Sequence, residues 1–305
     1  SLLDETINLD EIVPVSFVSH FHASTGRPRK HQLYPMLKAL LLQRIFSIPT
    51  DTLLIVFLKY SQELRDFCGF DVVPDASKFT RFKQDFLMDL QSMFNHMVDM
   101  TEPICQKLDP HLATMTIFDT SGIEAWVTEN NPKYANRIIK QLKAFAKANN
   151  LDKSYDPYKA AYGSMPTHAA SNQAIQQMYI NGHFCYAYKF GIVTNGLGIV
   201  RDITFYNKEF LKAHPDIVVE KDLRAYPGVE RGSTEWEETY KIRVNVEKSI
   251  NHFKDSFCVA NRKTQNEKTL HADLLLAGIA QLVTVIVADK IHQHQYIRSL
   301  KPLIA

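Results

Sequence analysis

The chain has 305 residues, 45% of them hydrophobic and 22% charged, a balance that supports a substantial folded core and argues against disorder. Its formal charge of +2 is too small to identify a nucleic-acid partner, so any basic surface must arise from local clustering. Four scattered cysteines, Cys68, Cys105, Cys185 and Cys258, include no C-x2-C pair. They fit reduced thiols in a cytoplasm better than a disulfide frame or a zinc site.

The opening SLLDETINLDEIV has acids where an export signal has bases, so no export is expected. Residues 31–46 read as a helix, Pro49-Thr50-Asp51 as its stop and the cap of the next, and 61–68 as a third. The segment PDASKFTRFKQDFLMDL predicts a helix capped by Asp75 or Ser77, with Lys78, Arg81 and Lys83 near its start. Short helices before a basic-fronted one match a helix-turn-helix-like arrangement, with Lys78 and Arg81 offered to DNA. An amphipathic helix then runs from 86 to about 108, its Leu87, Leu90, Phe94 and Met97 expected in the core. Residues 1–108 are therefore read as a helical N-terminal domain and 109–305 as a second unit.

From residue 112 the pattern becomes one of short strands: LATMTIFD ends in Asp119, TSG makes a turn, and IEAWV resumes extended structure. A polar, helical insertion follows over about 130–175. Within it Lys133, Arg137, Lys140, Lys143 and Lys147 occur with no acid between 130 and 151, and all but Lys143 share one helical face. A stripe of one sign is suited to tracking phosphates. Residues 183–194 and 197–206 read as a hairpin around Asn195-Gly196. The apolar run 274–288 falls short of the roughly 20 residues needed to span a bilayer. It is expected to be a buried core helix, with no membrane involved.

One further helix carries the chemistry. Tyr240, Arg243, Glu247 and Lys254 are spaced by three, four and seven residues, which places them within about 60° of one helical face. Ile242, Val246, Ile250, Phe253 and Phe257 form an adjacent apolar stripe, so the helix can anchor on a core while presenting a carboxylate among phosphate-binding groups.

The pattern Tyr-x2-Arg-x3-Glu-x6-Lys in YKIRVNVEKSINHFK resembles the signature of bacterial insertion-sequence transposases of the DDE superfamily. The runs His31 to Phe86, FDTSG at 118–122 and CVANRKTQNEKTLHADLL are also similar to that family, so the resemblance covers most of the chain. It implies a ribonuclease H-like α/β catalytic core preceded by a helical DNA-binding domain. Glu247 would be the third member of the metal-binding acidic triad and Asp119, on a strand before FDTSG turns, the first. Arg243 and Lys254 would hold phosphates of the cut end, and Tyr240 a nucleotide beside it. The implied cofactor is magnesium or manganese, two ions in an intact site. The implied partners are double-stranded DNA, as terminal inverted repeats and target, and a second copy in a homodimer on paired ends. The implied location is the nucleoid of a bacterial cytoplasm.

The second Asp is not evident. Only 33 residues separate Tyr206 from Tyr240, and Asp216 is the least unsuitable acid among them. An internal deletion near 207–225 accounts for this, leaving the core incomplete. Two functions follow: an active transposase that cuts and joins element ends, or a catalytically inactive remnant that retains DNA binding. FDTSG does not make an aspartic protease, since Ser separates Thr from Gly and no second copy exists. The pairs His20/His22 and His292/His294 lack further ligands for a metal.

Overall fold

The apolar run at 274–288 lies in a helix of 24 residues, Glu267–Lys290, with no polar face, and such a helix has to be surrounded. The computed structural model describes residues 5–22, 29–152, 154–180, 182–213, 232–260 and 266–304. Helices α1 (Leu9–Ile12), α2 (Val15–Phe21), α3 (Leu33–Ile45), α4 (Asp51–Tyr60), α5 (Gln62–Cys68), α6 (Ala76–Asp85) and α7 (Leu87–Leu108) come first. Two starts follow the expected caps, Thr50 accepting from the Leu53 N–H and Asp75 from Ser77 and Lys78, and Ser61, not foreseen as a cap, accepts from Leu64. Each cap satisfies a donor that the helix itself leaves unpaired.

After a short α8 (Pro110–Thr114), β1 runs Ile117–Glu124. Here the structure corrects two expectations. Extended backbone begins at 117 rather than 112, and TSG is no turn: Thr120, Ser121 and Gly122 pair with Gly191, Phe190 and Lys189. Ladder pairing outweighs the local turn preference of those residues. Helices α9 (Pro132–Ala148) and α10 (Pro157–Ser164) then precede β2 (His168–Ala169), β3 (Asn172–Ile180), β4 (His183–Thr194) and β5 (Val200–Phe205). The expected helical insertion thus ends in a strand, because β3 pairs with β4 as a hairpin.

All pairings are antiparallel. The long β4 is flanked by β1 on one edge and, on the other, by β3 along its first half and β5 along its second. The β4–β5 turn is closed by the Asn195 N–H donating to Ile199 O, with Gly198 at φ 78 supplying the left-handed residue. Among the described residues no strand pairs with the outer edge of β1.

The chain continues as α11 (Lys208–Ala213), α12 (Thr234–Ile242), α13 (Val244–Asn251), a π-helical turn (His252–Ser256), α14 (Glu267–Lys290) and α15 (Lys301–Ile304). The single helix expected over 240–254 is therefore three segments. The Arg243 N–H bonds Tyr240 O, one residue closer than the α-helical partner, which tightens the backbone there. Asp216 and most of the expected deletion at 207–225 lie outside the described residues. The fold is mixed α/β, an antiparallel sheet with helices.

Helix α14 packs on α7, α3 and α6 from one side and on β5 from the other, and one continuous apolar cluster runs from Leu9 to Leu300 across residue 108. Although α14 is long and apolar enough to cross a membrane, 94% of its most apolar window is buried inside the protein.

Candidate active site

Asp119 sits third in β1, opposite Ile192 of β4. Glu247 sits in the first turn of α13, and two side chains fasten that helix to the β4–β5 turn. Asn245 Nδ2 donates to Gly196 O at 2.8 Å, and Ser249 Oγ donates to Gly198 O at 2.6 Å. Behind them Val246, Ile250 and Phe253 are buried, as the apolar stripe predicts. This anchoring brings Arg243 between the two acids: its Nη2 lies 3.8 Å from Asp119 Oδ1 and 3.9 Å from Glu247 Oε1. Its Nη1 donates to Tyr240 Oη at 3.2 Å. Asp119 Oδ1 also accepts from the Thr120 N–H at 2.9 Å.

Four predicted residues, Asp119, Tyr240, Arg243 and Glu247, are thus gathered at one place. Lys254 is placed differently. It is carried by the π-helical turn, is buried, and donates from Nζ to Ser121 Oγ at 3.1 Å. Burial pushes its pKa below the usual lysine value, with Asp255 and Cys185 pulling the other way. Asp119 and Ser121 share a strand face, so Lys254 supports the strand beside the site rather than facing solvent.

Two partners were not foreseen. Ser121 was read as part of a turn, and Trp236 stacks on Tyr240 with ring centroids 4.7 Å apart. The i,i+4 spacing of Trp236 and Tyr240 was the available signal. Asp202 cannot join the site: it pairs with Val193, which pairs with Phe118, so it projects from the sheet face opposite Asp119.

The basic residues fall into two groups. Lys133, Arg137 and Lys140 are exposed along α9, as are Lys143 and Lys147. Lys78 and Arg81 lie on α6, half-buried and exposed respectively. Lys83, expected near the same basic front, instead turns inward. It is fully buried, 3.0 Å from Asp51 and 3.0 Å from Asp273, whose carboxylate also meets buried Arg44 at 2.5 Å. The hydrophobic face of α6 carries it into the core, where only a paired charge is tolerated.

Residues 1–85 match the family model Transposase domain (DUF772). This supports a transposase family. The matched region spans α1 to α6 and therefore carries Lys78, Arg81, Arg44 and the Lys83–Asp51 ion pair, whereas Asp119 and Glu247 lie beyond it. No curated protein and no solved structure gives a significant match to the chain.

As donors for a cation, Asp119 and Glu247 offer hard carboxylate oxygens of the kind that bind magnesium, which keeps several waters and needs only one or two such side chains. They fit one ion. No group of three acidic, histidine or cysteine ligands forms here among the described residues.

Proposed function

We propose that the chain is a DDE-type insertion-sequence transposase, with β1 and α13 belonging to a ribonuclease H-like core that binds terminal inverted repeats, cuts them and joins them to target DNA. The observation that carries this reading is the Arg243 guanidinium held between Asp119 and Glu247, two acids far apart in sequence. The transposase-domain match over residues 1–85 supports it from an independent part of the chain.

In this reading Asp119 and Glu247 hold magnesium or manganese, which when bound would polarise the scissile phosphate and acidify a water. Until then Arg243 supplies the countercharge that keeps the two carboxylates together. Its planar fork then serves a phosphate oxygen of the cut end. The Trp236–Tyr240 stack offers an aromatic face and a hydroxyl to the adjoining nucleotide. Lys254, bonded to Ser121, holds the helix against β1 and so sets the position of Glu247 relative to Asp119. Exposed α9 tracks the phosphates of duplex DNA, and Lys78 and Arg81 of α6 contact the ends. A homodimer on paired ends, in the nucleoid of a bacterial cytoplasm, completes the reading.

The test is direct. Purified protein with magnesium or manganese should nick and join labelled ends of its own element, and Glu247→Gln should abolish cutting while end binding survives. Cutting unchanged in that variant would remove Glu247 from the mechanism. The absence of a third acid at the site among the described residues favours a second reading, a remnant that binds ends without cutting them. End binding by the native chain with no nicking in either metal would establish that alternative.

A further inference from the structure

At the other end of β1 a second cluster forms from a different kind of ligand. Glu124, His183 and Cys185 each direct one ligand atom so that all three lie within 4.8 Å of one another, with His183 Nε2 3.7 Å from Glu124 Oε2. Strand geometry explains the convergence. His183 and Cys185 are two apart on β4 and share a face, and Glu124 pairs with Ala187 on that same face.

We propose that Glu124, His183 and Cys185 form a binding site for a borderline-soft divalent cation of the zinc class, with its fourth position open to water. Ligand type favours zinc or cobalt over magnesium: a thiolate and an imidazole are soft partners, and three protein ligands with one open position is a familiar tetrahedral arrangement. Adjacent ligands on such an ion lie roughly 3.3–3.7 Å apart, so side-chain rotation of about 1 Å completes the set. Cys185 Sγ makes no hydrogen bond among the described residues, and burial and the neighbouring Glu124 carboxylate push its pKa up to about 11, with Lys254 pulling the other way. On binding, the thiol proton leaves to solvent as the metal–sulfur bond forms. Solvent reaches the site through the half-exposed Glu124 and His183 side chains, and Glu124 also lines a cavity of about 430 Å³ with Trp126 and Asn130.

The site is separate from Asp119 and Glu247. Five residues of strand place Glu124 about 17 Å from Asp119 and, being an odd number, on the opposite sheet face. The inference therefore stands whether or not the chain cuts DNA.

Metal-free protein titrated with zinc, against a chelating dye, should take up a single tight equivalent that excess magnesium does not displace. With cobalt it should show a thiolate-to-metal charge-transfer band. Cys185→Ser should remove the band, and Glu124→Gln and His183→Ala should each weaken binding by about tenfold or more, while Glu247→Gln leaves it unchanged. The latter two ligands are half-exposed, so their variants keep the test valid should Cys185→Ser fail to fold. No tight zinc binding, binding insensitive to all three variants, or a cobalt spectrum without the thiolate band would overturn the proposal.

Discussion

Single residues in this protein are set by what surrounds their charge. Arg243 is partly exposed and meets its two acids near 4 Å, a geometry worth under about 1 kcal/mol of stability. Arg243→Ala should therefore barely move the urea midpoint, yet weaken the complex with a cut DNA end by about tenfold; equal losses in both assays would reduce the residue to a structural role. His271 shows the opposite case. Its ring stacks on Phe205 and burial pushes its pKa down to about 4. Burial, reinforced by Lys301, does the same to His252. In both, the unfolded state binds more protons between about 6.5 and 4, so stability must fall as pH drops through that window. Each contributes on the order of 1–3 kcal/mol. His271→Phe should flatten part of that decline in urea titrations at stepped pH, and an unchanged slope would contradict the buried-neutral assignment.

At the scale of elements, capping and periodicity were legible while sheet pairing was not. Thr50 and Asp75 announced their helices because a cap is a local hydrogen bond. Thr120-Ser121-Gly122 misled because the same residues that favour a turn become strand when a neighbouring ladder claims their backbone. For the site, the spacing of Tyr240, Arg243 and Glu247 was enough to group them. Lys254 and Lys83 were misjudged because a lysine's sequence position does not reveal whether an acceptor waits inside. The exposed stripe on α9 yields a measurable expectation: replacing Lys133, Arg137 and Lys140 together by Ala should lower the slope of log affinity against log salt for duplex DNA by about 3. An unaltered slope would put the DNA elsewhere. Packing makes its own prediction at Gly278, where an added Cβ would come 2.7 Å from Phe94 and 2.9 Å from Ile203. Gly278→Val should therefore cost about 1–3 kcal/mol in thermal or urea unfolding, since α14 would have to withdraw from α7 or β5.

For the molecule as a whole, the buried charges bind segments that are remote in sequence. Asp273 of α14 meets Arg44 of α3 and Lys83 of α6, while Arg44 also donates to Phe257 O. Asp273→Ala would take a buried carboxylate from Arg44 and leave Asp51 to balance Lys83, and chemical denaturation should register a loss of about 3–5 kcal/mol. A loss below 1 kcal/mol would mean that water reaches the network.

Helix α14 is the common wall of the helical layer and the sheet, and it comes after both in the order of synthesis. A chain still emerging from the ribosome has made the helical layer and the sheet that α14 covers before it has made α14. Until residues 267–290 arrive, those surfaces have only solvent or a chaperone to meet. Growing chains of this protein are therefore expected to depend on holding factors until that helix is made, and to become protease-resistant in one step when it docks.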